Sequence, residues 1–154
     1  MDRFARLLAD LGVLIDVVLY PDPKRACKLN IDNQLHIQIE EDEPKDRILI
    51  STFICEILPG KFREKVLCET LKENNLYPRL ATFTYSSRNN MLALFSYAYH
   101  PGHPGLTGDN FADFLGKFIE KGLTWKTAIE TGQLPQRGQI LHKTGPSIFD
   151  IQKK

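Results

Sequence analysis

The chain is short of almost everything that surface chemistry requires. It has three cysteines, Cys27, Cys55 and Cys68, an odd number with no Cys-x-x-Cys spacing. That offers neither a disulfide framework nor a thiolate zinc pattern, and it reads as reduced thiols inside a cell. No Gly-rich phosphate loop is present, and the ten glycines punctuate turns and helix ends. No apolar run approaches the roughly 18–20 residues of a membrane span. Charge of one sign is also lacking. The formal net charge is +1, so no global field recruits nucleic acid or a membrane surface.

The histidines and acids do not fill the gap. His100 and His103 fall in the loop His100-Pro101-Gly102-His103-Pro104-Gly105, whereas metal-binding pairs share one face of a helix. His36 alternates outward on a strand, and His142 lies near the end of the sequence. Glu40, Glu41, Asp42 and Glu43 form an acidic cluster without the spacing of a calcium loop. A Cys–His pair would meet only in space, and no family signature surrounds any of the three cysteines. The expectation is no catalytic residue, no metal ligand and no cofactor.

What is present suits one domain. At 154 residues, 42% hydrophobic and 25% charged, the chain can bury about two-thirds of its unfolded surface. Residues 135–154 carry Arg137, Lys143, Lys153 and Lys154 against Asp150, a net +3 that leaves the remainder at −2. The sequence divides into a domain over residues 1–132 and a flexible tail over 133–154.

Periodicity predicts the elements. Phe4, Leu7, Leu8 and Leu11 recur at helical spacing, with Gly12 as a stop. Residues 13–20 form a β-branched apolar run ended by Pro21 and Pro23. Cys27, Leu29 and Ile31, then Leu35, Ile37 and Ile39, alternate across the turn Asp32-Asn33, which predicts a hairpin with one buried face. Residues 48–57 read as another strand, and Pro59 suits the start of a second helix that Asn74-Asn75 can cap. Residues 80–85 and 91–99 read as a second hairpin, with Tyr85, Phe95, Tyr97 and Tyr99 placed on one face. A last helix, capped by Thr107 or Asp109, carries Phe111, Phe114, Leu115, Phe118, Trp125 and Ile129 with Gly122 on the same face, and Gly132 and Pro135 end it. The predicted fold is α+β: an antiparallel twisted sheet of two hairpin units with three helices. The order is helix, three or four strands, helix, two strands, helix. The aromatic residues either join sheet to helix or leave a surface for a partner.

In order and spacing these motifs resemble the class I effector chaperones of bacterial type III secretion, the Tir/YopE chaperone family. The likeness runs over residues 2–131. It rests on Leu11-Gly12, Cys27-Lys28-Leu29-Asn30-Ile31-Asp32, Leu58-Pro59, Leu71-Lys72-Glu73-Asn74-Asn75-Leu76, Leu106-Thr107, Phe111-x-x-Phe114-Leu115-x-x-Phe118-Ile119-Glu120 and Trp125. The resemblance implies a non-enzymatic protein of the bacterial cytoplasm, homodimeric through its second helix and a neighbouring strand. It also implies that the extended N-terminal segment of a secreted effector wraps around the dimer, stays unfolded and is guided to the export apparatus. It leaves room for a second chaperone, a secretion ATPase or an export gate as further partners. It involves no nucleic acid and no membrane.

Carried onto this sequence, the effector groove falls on Phe4, Leu7, Leu8 and Leu11 with Val18, Tyr20, Leu29 and Leu35. The dimer seam falls on Phe62, Val66, Leu67 and Leu71. On that reading Leu8→Glu spares the fold and abolishes partner binding. The tail, with Ile140-Leu141 and Ile148-Phe149-Asp150-Ile151, either is inert or docks in the effector groove or on another export component. The alternative to the whole reading is a peptide-binding adaptor domain unrelated to secretion.

Overall fold

Asp2 starts the first helix. Its carboxylate accepts from the Ala5 N–H at 2.8 Å, and α1 runs over Arg3–Ile15. The computed structural model describes residues 2–77, 80–99 and 107–136. After α1 come β1 (Ala26–Ile31), β2 (Leu35–Asp42), a 3-10 turn (Glu43–Lys45), β3 (Arg47–Glu56), α2 (Lys61–Leu76), β4 (Thr82–Ser86), β5 (Met91–Tyr99) and α3 (Gly108–Glu130). The strands form one antiparallel sheet in the order β1-β2-β3-β5-β4.

Alternation decides the faces. Ile48, Ile50, Thr52 and Ile54 of β3 are buried, as are Leu35, Ile37 and Ile39 of β2. This face carries α1 and α3, which pack on each other, with α3 also against β3 and β2. Gly122 lets α3 come close: a Cβ there would stand 2.9 Å from Leu35 Cδ1. The first hairpin turns as expected. Asp32 and Asn33 take left-handed φ values of 49° and 57°, the Gln34 N–H returns to the Ile31 carbonyl, and the Asn30 amide group ties to Asn33. Thr107 caps α3, accepting from the Asn110 N–H at 3.2 Å.

Four expectations need correction. Residues 13–20 are not a strand: α1 continues to Ile15, Asp16 closes it in the left-handed conformation, and no strand begins before Ala26. Three strands therefore precede α2, the smaller of the two numbers expected. Gly12 does not stop α1 but lies within it, where a Cβ would sit 2.4 Å from the Val17 carbonyl oxygen. The chain folds back onto the helix there, and the Val17 N–H donates to the Gly12 carbonyl. Asn74 does not cap α2: its amide group accepts from the Phe83 N–H and donates to the Phe83 carbonyl, imitating a neighbouring strand along β4. Tyr85 also parts from Phe95 and Tyr97. It pairs with buried Leu92 and meets Arg63 of α2, because directly opposed residues share a face. The side chains of Tyr99 and of the His100/His103 loop lie outside the described residues, as do residues 137–154.

Candidate functional site

Of the eight residues assigned to the groove, the structure places six inside the protomer. Phe4, Leu7, Leu8, Leu11, Leu29 and Leu35 are all buried against the sheet and α3. The magnitude explains why. Burying a large aliphatic or aromatic side chain contributes about 2 kcal/mol. The α1 stripe of Phe4, Leu7, Leu8, Leu11 and Ile15 is thus worth on the order of 10 kcal/mol, comparable with the whole stability of a domain. A fold that left that stripe in water would not hold. Glutamate at position 8 is therefore an unfolding substitution, not a change confined to a surface groove.

The other two, Val18 and Tyr20, are 86% and 72% exposed. They belong to a patch that periodicity did not assemble. Val13, on the outer side of α1, is 82% exposed, and Val17 also faces solvent. Val17 and Val18 line two depressions, and Val13 lines one of them. One, of about 340 Å³, is lined by Ala9, Gly12, Val13, Asp16 and residues 17–19. The other, of about 400 Å³, lies between residues 17–19 and the strand positions Lys28, Leu29, Asn30 and Asp32. Branched apolar side chains in water beside an exposed strand mark an interaction surface.

The strand is β1, one of the two sheet edges. Asp22 organises its start: the carboxylate accepts from the N–H groups of Lys24 and Ala26, and the Asp22 N–H donates to the Ala26 carbonyl. Ala26 thus spends its outward backbone groups on Asp22. By the two-residue alternation of an antiparallel ladder, Lys28 and Asn30 turn their N–H and C=O off the sheet in the same direction. The other edge, β4, is shielded at Phe83 by Asn74. β1 is the edge with room beside it.

Arg25, in the left-handed conformation at φ 61°, holds this end together. Its guanidinium bonds Asp2 at 2.8 Å and Glu41, and lies over the Phe4 ring. Arg25 and the Ala5 N–H keep the Asp2 carboxyl well below the usual carboxylate range. The acidic cluster of residues 40–43 is laced with arginines: Arg25 meets Glu41, and Arg47 meets Asp42 at 2.7 Å. Burial pushes the Cys27 thiol up, and the Cys55 thiol up to about 11. Neither is an activated nucleophile. No group of three or more potential metal ligands gathers among the described residues, and none of their helices is long and apolar enough to cross a membrane.

The seam residues divide as well. Val66 is buried, Phe62 and Leu67 pack partly against the core, and Leu71 is 69% exposed. Leu58, Leu76 and Tyr77 add exposed apolar area around α2. On the uncovered face of the sheet stand Phe53 and Tyr97, with Phe95 edge-on to Tyr97 at 5.9 Å and Arg47 stacked on Tyr97 at 3.7 Å. The signal for both surfaces was an apolar residue out of phase with its neighbours' buried stripe.

Solved structures share this architecture. The chain matched in the crystal structure of the ExsC–ExsE complex has a TM-score of 0.69 at 18% identity, over 87% of this chain and 95% of that one. The HopA1–SchA chaperone–effector complex gives 0.65 at 16%, over 80% and 92%. The Yersinia pestis type III secretion chaperone SycH, in complex with a stable fragment of YscM2, gives 0.61 at 12%, over 79% and 98%. No family model and no curated protein matches the sequence. At these identities the likeness is one of fold: among the described residues, three helices and a five-stranded antiparallel sheet in the arrangement that these solved structures share.

Proposed function

We propose that this chain is a non-enzymatic chaperone of bacterial type III secretion. It binds an extended segment of a secreted effector, its client, along the edge of β1. The observation that carries the reading is exposed Val17 and Val18 sharing a depression with Lys28 and Asn30 of β1, whose outward backbone groups are open, with Val13 and Tyr20 also exposed nearby in sequence. Architecture shared with the chains matched in the HopA1–SchA chaperone–effector complex and in the type III secretion chaperone SycH structure supports it.

The physics of the site fits the task. A client strand laid beside β1 gains main-chain hydrogen bonds from Lys28 and Asn30, independent of its sequence. Alternate side chains enter the two depressions and supply selectivity. A segment held as an added strand cannot join its own protein's core, which keeps that part of the client unfolded and ready for export. Ordering the segment costs free energy, and a long wrapped path offsets that cost. A second copy of this chain is proposed to dock through α2 and the uncovered sheet face, where Leu71, Phe53 and Tyr97 lie exposed.

The test is co-expression with proteins encoded beside its gene, followed by size-exclusion chromatography with light scattering. The expected species is a dimer of about 35 kDa, twice 17.6 kDa, that co-elutes with the N-terminal segment of a neighbour. Val18→Glu, at an exposed position, is expected to abolish co-elution without changing the melting temperature. Co-elution undiminished by Val18→Glu would move the site elsewhere. A monomer that retains no neighbour would overturn the reading.

A further inference from the structure

The segment that leads into β1 has the side-chain pattern of a sixth strand but is not paired as one. Asp22 meets Ala26 as half of an antiparallel pair. The Asp22 N–H donates to the Ala26 carbonyl at 2.8 Å, and the Asp22 carboxylate accepts from the Ala26 N–H at 2.9 Å in place of a strand carbonyl. Continued from that pair, an antiparallel register sets Tyr20 opposite Lys28, Leu19 opposite Leu29 and Val18 opposite Asn30. Burial already follows this register. Leu19 and Leu29 are buried, while Val18, Tyr20, Lys28 and Asn30 are exposed, and directly opposed residues share a face. Yet Val18, Leu19 and Tyr20 make no backbone–backbone hydrogen bond among the described residues. Residues 17–19 face β1 across the depression of about 400 Å³.

The segment is anchored at both ends, by the Val17 N–H on the Gly12 carbonyl and by Asp22 on Ala26. Between the anchors it comes close to pairing. The Tyr20 backbone stands beside the Cys27 sulfur, near enough to bias its ionisation. That sulfur lies 4.0 Å from the Lys28 carbonyl oxygen, the acceptor that the register assigns to the Tyr20 N–H. Pro21 does not oppose closure. It falls opposite Cys27, where the backbone nitrogen points off the sheet, and an edge strand tolerates proline there. Asp16, as the left-handed cap of α1, ends the pairing at Val18. We infer that residues 18–21 are a strap that exchanges between this open position and a closed one paired to Lys28 and Asn30, and that a client strand binds only while the strap is open. The inference rests on the β1 reading given above and adds its regulation. Strap and client use the same outward N–H and C=O groups of Lys28 and Asn30, so each excludes the other. A closed fraction of about 90% weakens client binding about tenfold and slows amide exchange at Lys28 and Asn30 by the same factor.

The first test needs no client. Amide exchange of the full chain is followed by NMR in the wild type and in Tyr20→Pro, which has no N–H at position 20. The Lys28 and Asn30 amides are expected to exchange about tenfold more slowly in the wild type. Equal rates would overturn the inference. The second test traps the closed strap. In the closed register the Cα atoms of residues 18 and 30 are about 5.5 Å apart, within the span of a disulfide. Val18→Cys/Asn30→Cys, made with Cys68→Ser to remove the exposed native thiol, is expected to oxidise to an intramolecular disulfide. The neighbour's N-terminal segment recovered by co-expression is expected to bind the reduced form and not the oxidised one. Failure of the disulfide to form would overturn the inference. If exchange shows no closure while Val18→Glu abolishes co-elution, the strap inference fails and the chaperone reading stands. If exchange shows closure but the oxidised form binds the segment as well as the reduced one, β1 is not the client site: the reading at β1 fails, and the regulation with it.

Discussion

Lys121 provides the sharpest test of the packing. Its side chain is 2% exposed, and its ammonium lies 3.4 Å from the carboxylate of Glu73, whose side chain is 6% exposed, joining α3 to the last turns of α2. The rings of Phe83 and Tyr77 flank it. Lys121→Met keeps the volume and removes the charge, leaving Glu73 buried without its cation. Breaking a buried pair in this way costs about 3–5 kcal/mol, whereas replacing both partners with apolar side chains is often neutral. For a domain of this length that corresponds to a fall in melting temperature of roughly 10–15 °C. Urea unfolding at fixed protein concentration measures it, with Trp125 as the reporter. Trp125 is the sole tryptophan, it is buried, and its ring is 4.6 Å from Phe83. The double variant Lys121→Met/Glu73→Leu is expected to recover most of the loss, completing a double-mutant cycle. Burial holds the Lys121 pKa below its ordinary value, with Glu73 pulling the other way. The folded state therefore binds fewer protons than the unfolded state just below the ordinary lysine pKa, so this side chain's contribution grows as pH rises through that window, and Lys121→Met lacks the rise. A single variant within 1 kcal/mol of wild type, or a double variant as unstable as the single, would refute the reasoning.

Other expectations follow from the same geometry. Gly12→Ala improves intrinsic helix propensity by about 1 kcal/mol, yet its Cβ would meet the Val17 carbonyl at 2.4 Å; thermal melting is expected to show net destabilisation of about 1–3 kcal/mol. Leu71→Glu, at an exposed position of α2, is expected to leave the secondary-structure circular dichroism intact and to convert the proposed dimer to a monomer by light scattering. Among the three thiols, exposed Cys68 is expected to react first with a thiol reagent in native protein, Cys27 and Cys55 only on unfolding. The Cys55 thiol is raised from 9.0 to about 11, so its contribution is complete below pH 9 and lost as pH rises through 11, and Cys55→Ala is expected to flatten that part of the stability profile.

The sequence by itself determined the secondary elements wherever polarity alternates cleanly. The register of the first hairpin follows from Cys27, Leu29 and Ile31 opposite Leu35, Ile37 and Ile39, because a slip of one residue would turn every apolar side chain into water. The α3 stripe from Phe111 to Trp125 was equally plain. Tertiary structure alone decided what each stripe meets. Periodicity says that Phe4, Leu7, Leu8 and Leu11 share a face, but not whether that face looks at the core or at a partner. The sheet and α3 settle it by burying all four. Residues 13–20 have the composition of a strand, yet the helix runs on to Ile15 and the chain then folds back on Gly12. That leaves Val13, Val17 and Val18 in water. Local propensity is weak against such packing, since it is worth tenths of a kcal/mol per residue and a buried stripe is worth about ten in all. Lys121 shows the limit from the other side: nothing in its neighbours along the chain distinguishes it from a surface lysine, and only the approach of Glu73, Tyr77 and Phe83 buries its charge.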